Sequence, residues 1–298
     1  MEKFIKKADI LIEALPYIQR FNKRIVVIKY GGAAMEDEVR RLSTLENIVF
    51  MSYVGMKPVL VHGGSPFINK KMHKLGKKSE FIDGHRVTDE DTMQIVDKTL
   101  SKLNKKIVSE IKKLGAKATG LSGKDKMMIK LKKQKALKKK KFGYVGEIES
   151  INPKSIREVL NQGKIPVIYP VAVNNKKEIF NVNADQASSQ IAVSLDAEKL
   201  VLLTNIKGIM RDESDENSLI STLSVKEVKD LIKRNIITGG MLPKVKACIV
   251  ALKAGIRKTH IIDGRIPHSL LLEIFTDKGI GTEIVKDKSQ AANLKPEA

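Results

Sequence analysis

Five short runs of apolar residues constrain the fold of this 298-residue chain more than any other feature. They lie at 24–30, 58–62, 165–173, 199–204 and 258–263, are rich in Val and Ile, and do not alternate with polar residues. A strand with one face in water would alternate, so these runs predict strands of a parallel sheet that is covered on both faces.

Helical patterns separate these runs. The clearest lies at 90–114, where apolar residues recur at spacings of three and four, and shorter cases lie at 184–195, 225–232, 241–252 and 269–275. Strands that alternate with helices indicate βα units, and therefore a doubly wound α/β fold.

The net charge of +21, from 55 basic and 34 acidic residues, is concentrated in one window. Residues 98–141 contain 17 lysines and two acidic residues, but no arginine or tryptophan. Runs of one charge usually face solvent, so we predict a solvated helix face followed by an exposed hairpin at 126–148. The alternative is a nucleic-acid binder, which would bind duplex in a salt-dependent way and lose that binding after Lys→Glu changes at 132–141.

Several other classes of protein are excluded. The single cysteine, Cys248, cannot form an intramolecular disulfide, which indicates a reducing compartment, and we expect the cytoplasm. No apolar run reaches the roughly 18 residues of a membrane helix, and the first 21 residues form an amphipathic helical pattern rather than a signal peptide. The five histidines show no metal-ligand spacing, so no metal-binding side chain is predicted.

Glycine pairs follow the first two predicted strands, at Gly31–Gly32 and at Gly63–Gly64. Glycine lets backbone N–H groups approach a ligand closely, and the ligand crevice of an open α/β sheet lies at the carboxyl ends of its strands. A helix that begins after such a turn adds a dipole that favours phosphate. The pairs therefore predict an anion site, although neither the P-loop nor the Rossmann glycine pattern is present.

Charged residues lie close to these turns. Lys29 lies one residue before the end of the first apolar run, where it either serves a site or extends its amine to solvent. Lys244 lies in a first helical turn, where the helix dipole disfavours a cation unless an anion is bound. Asp185 opens another helix, a common place for an acid, and Arg86 is suited to bidentate carboxylate recognition.

Taken in order, several motifs resemble the amino-acid kinase family, and within it the branch that phosphorylates N-acetyl-L-glutamate. They include IKYGG, VHGGSP, GHRVTDEDT, GLSGKD, NVNAD, GGMLPKVKACIVAL and HIIDGR, and the resemblance extends over roughly residues 8–285. It implies a three-layer αβα sandwich around a mostly parallel open central sheet. It also implies an N-terminal oligomerisation helix (1–22), an N-acetylglutamate-binding lobe (23–175) and an ATP-binding lobe (176–298).

The reaction implied by the resemblance is transfer of a phosphoryl group from MgATP to the γ-carboxylate of N-acetyl-L-glutamate, with Mg²⁺ held mainly by ATP. Lys29 and Lys244 match the family's two transition-state lysines, and Asp185 matches the acid that holds them. The implied substrate-binding residues are Gly63, Gly64, Arg86, Asn181 and Asn183. The implied nucleotide-binding residues are Gly31, Gly32, Lys207 and Gly208.

The two ends of the chain resemble the arginine-inhibited branch, in which N-terminal helices interlace to form a homohexamer, a trimer of dimers. The carried-over arginine-site residues are Tyr17, His260, Glu273 and Gly279. Two positions depart from the family pattern: Ser65 replaces a third glycine, and Asn205 replaces an aspartate before the nucleotide loop. An alternative substrate is an acylated amino acid one carbon longer, and docking of a nitrogen-status signalling protein is left open.

Overall fold

The computed structural model describes residues 1–82, 84–132, 141–212, 214–276 and 279–288. The central part of the predicted lysine-rich hairpin, residues 133–140, lies outside these ranges.

In the described residues the five patterns between 90 and 275 form helices with ends shifted by at most one residue, whereas the N-terminal pattern forms two helices that are separated at Ala14. The helices in the described ranges are α1 (Glu2–Glu13), α2 (Leu15–Phe21), α3 (Glu38–Tyr53), α4 (Ser65–Lys74), α5 (Glu90–Lys113), α6 (Lys154–Asn161), α7 (Ala184–Leu195), α8 (Val225–Lys233), α9 (Met241–Lys253) and α10 (Ser269–Ile274), of which α3, α4 and α6 were not predicted. Side-chain caps start several of them, because an acceptor at the first position satisfies a free backbone N–H. Asp37 caps α3, Asp89 caps α5, and Ser224 with Glu227 forms a capping box on α8.

The strands are β1 (Ile25–Tyr30), β2 (Lys57–His62), β3 (Phe81–Ile82), β4 (His85–Arg86), β5 (Ala118–Ser122), β6 (Ile129–Leu131), β7 (Ile148–Ile151), β8 (Ile165–Tyr169), β9 (Val171–Val173), β10 (Ile179–Asn181), β11 (Lys199–Thr204), β12 (Thr222–Ser224), β13 (Lys258–Asp263) and β14 (Thr282–Val285). Eight of them form one sheet in the order β12-β14-β13-β11-β1-β2-β8-β5. Only β13 and β14 pair antiparallel within this sheet. The predicted mostly parallel central sheet is confirmed.

The sheet separates two hydrophobic cores, which makes the fold a three-layer αβα sandwich. On one face Val27 packs in a cluster with Ile191 of α7 and Cys248 of α9. On the other face its neighbours Val26 and Ile28 pack in a cluster that includes residues of α3, α5 and α10. Burial on both faces explains why the strand sequences are continuously apolar.

One predicted strand is wrong. The apolar run 165–173 forms two strands, because β8 pairs in the main sheet while β9 pairs with β10 in a small separate sheet. Pro170 lies at the break, and its carbonyl accepts a hydrogen bond at 3.1 Å from the backbone N–H of Val182, next to β10, so the chain leaves the main sheet here. The β9–β10 hairpin spans the predicted lobe boundary, although the eight-stranded sheet runs through both predicted lobes.

The two ends of the hairpin predicted at 126–148 pair with each other. Strands β6 and β7 are antiparallel, with Ile129 opposite Ile151 and Lys130 opposite Ser150. Lysines along this pair contact acids, as Lys130 lies 3.2 Å from Glu149. The described part of the segment therefore has a partly neutralised surface.

A buried ion pair connects α3 to α5. The Arg41 side chain is 2% exposed, and its Nε and Nη2 atoms lie 3.0 and 2.9 Å from the two carboxylate oxygens of Glu110. Its Nη1 donates to the carbonyl of Met35 at 3.1 Å. The Glu110 contacts hold α3 against the long helix α5. The Met35 contact holds the segment between β1 and α3 against Arg41.

We predict that Glu110→Ala lowers the free energy of unfolding by roughly 3–5 kcal/mol, because it leaves Arg41 buried without a counterion. Glu38→Ala is the matched control, since Glu38 also approaches Arg41, at 3.7 Å, but is 72% exposed. Loss of that exposed pair should cost less than about 1 kcal/mol. Urea unfolding of both variants makes the comparison, and equal losses would contradict it.

Candidate active site

A cleft of about 1040 Å³ opens beside the carboxyl ends of β1 and β2. Eight of the twelve predicted catalytic, substrate-binding and nucleotide-binding residues line it, although they come from four separate parts of the chain. They are Lys29, Gly31, Gly32, Gly63, Gly64, Asn183, Asp185 and Lys244. Ser65, Gly239 and Gly240 also contribute.

Three helix N-termini converge on this cleft. They belong to α4 after Gly64, α7 after Asn183, and α9 after Gly240. The free N–H groups and positive dipole ends of these helices favour a bound anion. The predicted anion site is therefore assembled from three elements that are distant in sequence.

Asp185 joins two lysines across the cleft. Its Oδ1 atom lies 2.9 Å from Nζ of Lys29, and its Oδ2 atom lies 3.1 Å from Nζ of Lys244. The side chains of Lys29, Lys244 and Asp185 are 9%, 17% and 7% exposed. Lys29 thus does not extend its amine to solvent, and Asp185 is more than a helix-start acid.

The two lysines and one acid give the triad an excess positive charge in a site with little water. Burial raises the pKa of Asp185, but Lys29 and Lys244 outweigh it and lower that pKa to about 2. Burial lowers the pKa of Lys29, and the nearby Lys244 cation lowers it further, whereas Asp185 opposes both effects. A bound anion is the ligand that this charge distribution favours.

Two glycines follow β1 at the point where the Lys29 amine lies close to the backbone. A Cβ at Gly31 would lie 3.0 Å from Nζ of Lys29, and Gly32 has a φ of +80°. The first glycine leaves space for the lysine, and the second permits the left-handed turn.

A small recess of about 80 Å³ adjoins the cleft and contains Arg86, Asn181 and Asn183. Arg86 is 4% exposed, and Ser79 and Asn69 accept hydrogen bonds from its guanidinium at 2.9 and 2.6 Å. Burial lowers the pKa of Arg86 to about 10, so it stays charged at neutral pH. No carboxylate in the described part of the chain pairs with it, and a buried cation without a counterion favours an anionic ligand.

The predicted residues Asn183 and Asn181 differ in the hydrogen bonds that their side chains make. The Oδ1 atom of Asn183 caps α7 by accepting from the backbone N–H groups of Asp185 and Gln186, at 2.9 and 3.1 Å. That leaves its amide nitrogen for a ligand, in a residue that lines both the cleft and the recess. Asn181 donates a longer hydrogen bond to Thr88 at 3.4 Å.

Lys207 and Gly208 lie in a second pocket of about 260 Å³ rather than in the main cleft. Its walls are largely apolar and include Ile206, Ile237 and Met241. The segment 238–242 separates the two cavities and contributes to both. A flat apolar group could occupy this pocket while a charged group attached to it reaches the cleft.

The four predicted arginine-site residues gather at another place, near the amino ends of β11 and β13. Nδ1 of His260 is hydrogen-bonded to Glu273, whose other oxygen accepts from the backbone N–H groups of Ile280 and Gly281. A Cβ at Gly279 would lie 2.8 Å from the Glu273 carboxylate. The Tyr17 ring contacts the edge of Phe275, with ring centroids 6.4 Å apart.

Sequence reasoning missed Lys199 in this second cluster. Lys199 is 6% exposed, and its Nζ lies 5.1 Å above the centre of the Phe21 ring. Burial lowers its pKa to about 8, although the Glu273 charge opposes this. Its position at the start of an otherwise apolar strand, KLVLLT, was the available signal, and it is the same signal that singled out Lys29.

Comparison with known proteins places this arrangement in a family. The family model described as "Amino acid kinase family" matches residues 24–263, which include the cleft and all of the second pocket's lining except Arg265. The chain belongs to the amino acid kinase family. Within it the chain groups with the acetylglutamate kinases, so it is a kinase. It is 50% identical over 295 residues to acetylglutamate kinase of Heliobacterium modesticaldum, covering 96% of this chain and 100% of the relative. It is 51% identical to that of Syntrophomonas wolfei, covering 95% and 98%.

Solved structures show the same fold. N-acetylglutamate synthase of Neisseria gonorrhoeae, solved with coenzyme A and N-acetyl-glutamate, superimposes with a TM-score of 0.82 at 25% identity. The match covers 94% of this chain and 63% of that synthase. Giardia carbamate kinase matches with a TM-score of 0.66 at 16% identity, and this likeness concerns the fold alone.

Two features are absent from the described ranges. No group of three or more His, Cys, Asp or Glu side chains there is placed to hold a metal ion. No helix there is long and apolar enough to cross a membrane. The cytoplasmic location stays a prediction.

We predict that Asp185 makes stability depend on pH at the acid end. Its pKa is about 2 in the folded protein, against an ordinary value of 3.8, so its stabilisation is complete above about pH 4 and is lost as the pH falls through 2. The difference in unfolding free energy between wild type and Asp185→Asn should shrink by about 2 kcal/mol between pH 5 and pH 2. Chemical unfolding over this range measures it. Asp230→Asn, at an exposed position on α8, is the control, and the same change there would contradict the prediction.

Proposed function

We propose that this chain transfers the γ-phosphoryl group of MgATP to the γ-carboxylate of N-acetyl-L-glutamate, an early step of arginine biosynthesis that arginine inhibits. The observation that carries the proposal is the Lys29–Asp185–Lys244 triad at the point where three helix N-termini meet. A carboxylate oxygen attacks the γ-phosphorus as the bond to the β,γ-bridging oxygen breaks. The products are the acyl phosphate and ADP.

This chemistry needs positive charge more than it needs a base. The acceptor carboxylate is ionised at neutral pH, so no proton has to be removed before attack. The obstacle is repulsion between two anions, and charge develops on the oxygens of the transferred group. Lys29 and Lys244, held in place by Asp185, supply cations that need no rearrangement during the reaction.

Arg86 is proposed to orient the acceptor. Its buried guanidinium lies in the recess beside Gly63 and Gly64, where the α-carboxylate of N-acetyl-L-glutamate supplies a counterion. Asn183 contributes its amide nitrogen to the same substrate. The γ-carboxylate then extends from the recess into the cleft that contains the two lysines.

The nucleotide is proposed to lie across both cavities. Its base would occupy the apolar pocket beside Lys207 and Gly208, and its phosphates would reach the cleft near Gly31 and Gly32. Mg²⁺ enters as part of the MgATP substrate and keeps phosphate oxygens and water as its ligands. The phosphates would meet the N-termini of α7 and α9.

Purified protein should release ADP when MgATP and N-acetyl-L-glutamate are present. Lys244→Ala should lower kcat by roughly 10²–10³-fold, because it removes one donor to the developing charge. Lys253→Ala, an exposed lysine in the last turn of the same helix, is the matched control and should keep wild-type kcat. A coupled ADP assay makes both measurements.

Three outcomes would contradict the proposal. The first is equal kcat for the Lys244→Ala and Lys253→Ala variants. The second is no ADP release with N-acetyl-L-glutamate, and the third is faster turnover of the analogue one carbon longer, which would reassign the substrate.

The second cluster supports the proposal of arginine as inhibitor. No carboxylate in the described part of the chain lies within 4 Å of Lys199, so the α-carboxylate of an amino acid would supply its missing partner. Glu273 and backbone carbonyls near Gly279 would accept from the guanidinium or the α-ammonium group. Phe275 of the 275–281 segment packs against Tyr17 of α2, which connects the proposed site to the N-terminal helices.

Helix α1 supports the proposal of a homohexamer built as a trimer of dimers. Phe4, Ile10, Leu11 and Ile12 are between 64% and 69% exposed. Contiguous exposed apolar residues on a helix indicate a surface that another chain covers. A second copy of α1 would bury them, as in interlaced N-terminal helices.

Leu11→Asp should reduce the molar mass in solution below that of a hexamer, because it places a charge in the proposed helix interface. The same variant should weaken inhibition by arginine, since α1 leads directly into α2 and Tyr17. Analytical ultracentrifugation and ADP release with added arginine test the two effects. Glu13→Ala, an exposed polar position on the same helix, should leave both unchanged. A monomeric or dimeric wild type would contradict the hexamer, and an arginine-insensitive wild type would contradict the inhibition.

A further inference from the structure

His62 is a buried histidine beside the cleft that the proposed reaction does not use. It ends β2, is 0% exposed, and directly precedes Gly63 and Gly64. Burial lowers its pKa to about 4, although a hydrogen bond to the Gly63 carbonyl opposes this. At neutral pH the ring is therefore uncharged, with one nitrogen protonated and the other bare.

The neighbours of His62 determine which nitrogen carries the proton. Nδ2 of Asn104 lies 2.9 Å from the carbonyl oxygen of Val167, to which only an N–H can donate, and 3.0 Å from Nε2 of His62. The amide nitrogen of Asn104 thus donates in both directions, and Nε2 of His62 must be the bare acceptor. Nδ1 then carries the proton and donates to the Gly63 carbonyl at 2.8 Å.

Asn104 is itself held in place. A Cβ at Gly120 would lie 2.2 Å from its Oδ1 atom, so the amide packs directly against the backbone of β5. Asn104 also lies within the buried stripe of α5 and is 4% exposed. A fixed chain of hydrogen bonds therefore runs from the carbonyl of Val167 in β8, through Asn104 and His62, to the glycine turn.

The hydrogen bond from His62 orients the peptide group between Gly63 and Gly64. In a trans peptide the C=O and N–H bonds point in opposite directions. A carbonyl directed at the His62 ring therefore directs the N–H of Gly64 away from it. No acceptor in the described part of the chain takes that N–H, and Gly64 lines both the cleft and the recess.

The peptide group between Gly63 and Gly64 has a second orientation that is sterically accessible. Glycine permits backbone conformations of either sign of φ, so a Gly–Gly peptide can turn over at little steric cost. In the turned-over state the Gly63 carbonyl would face the cleft and repel a bound anion. The hydrogen bond from Nδ1 of His62 stabilises the state in which the Gly63 carbonyl points away from the cleft.

We propose that His62 and Asn104 are positioning residues that hold the Gly63 carbonyl away from the cleft, so that the Gly64 N–H donates to the transferred phosphoryl group. The proposal rests on the function proposed above. It assigns these two side chains no direct contact with either substrate. Their effect passes entirely through one peptide group.

Three variants and one control test this inference. His62→Leu removes the donor and should lower kcat by about 10- to 100-fold, with a much smaller change in KM for N-acetyl-L-glutamate. His62→Asn places an amide N–H near the position of Nδ1 and should recover most of that loss. Asn104→Leu removes the donor to Nε2 of His62, so that either ring nitrogen can carry the proton. This variant should also lower kcat. Tyr169→Phe is the control, because its ring lies 6.2 Å from that of His62 and remains in place.

Rates are divided by the number of ADP-binding sites found by titration calorimetry, so that a loss of folded protein does not count as a loss of kcat. Equal losses in His62→Leu and His62→Asn, or wild-type kcat in His62→Leu, would overturn the inference. Wild-type protein without turnover would instead overturn the proposed function.

Nitrogen-15 NMR of histidine-labelled wild type tests the same chain without any variant. The inference requires a neutral His62 with the proton on Nδ1. A proton on Nε2, or an imidazolium at neutral pH, would overturn it.

Discussion

The carboxylate of Asp185, shared between Lys29 and Lys244, is the interaction on which the site depends. Each lysine would be costly to bury alone, and each is tolerated because the same acid pairs with it. The three residues come from β1, α7 and α9, so the pair of contacts also fixes two helix N-termini against the central strand. Two local features support these contacts. Glycine at position 31 leaves space for the Lys29 amine, and Asn183 caps α7 two residues before Asp185.

The charges proposed to serve the reaction are separate from the charges that dominate the composition. Residues 98–141 carry most of the net +21, yet no lysine at 98–132 or at 141, the part of this window that the structure describes, lines the cleft. The cations of the proposed site are few: Lys29 and Arg86 are buried, and Lys244 is partly buried. Within a poorly hydrated cleft each interacts with an anion more strongly than a solvated surface lysine does. Total charge was therefore a poor guide to function here, and the burial of individual charges a good one.

Sequence patterns predicted the buried strands and an anion site at the glycine pairs, and the order of the motifs suggested roles for the residues of the cleft. Continuous apolar runs marked the buried strands, and the lysine in IKYGG stood out because it interrupts such a run. The break at Pro170 was missed because the flanking residues are apolar in both sheets. The partners of Arg86 and the contact between His62 and Asn104, 42 positions apart, could not be predicted, since they depend on how α4 and α5 pack. Lys199 was missed although its signal resembled that of Lys29.

The most direct test of the central claim is a crystal structure of the enzyme with MgADP, aluminium fluoride and N-acetyl-L-glutamate. The fluoride complex imitates the transferred phosphoryl group. The account predicts that it lies between the Nζ atoms of Lys29 and Lys244, within hydrogen-bonding distance of both, with the substrate α-carboxylate on Arg86. A fluoride complex bound elsewhere, or contacted by neither lysine, would contradict the account.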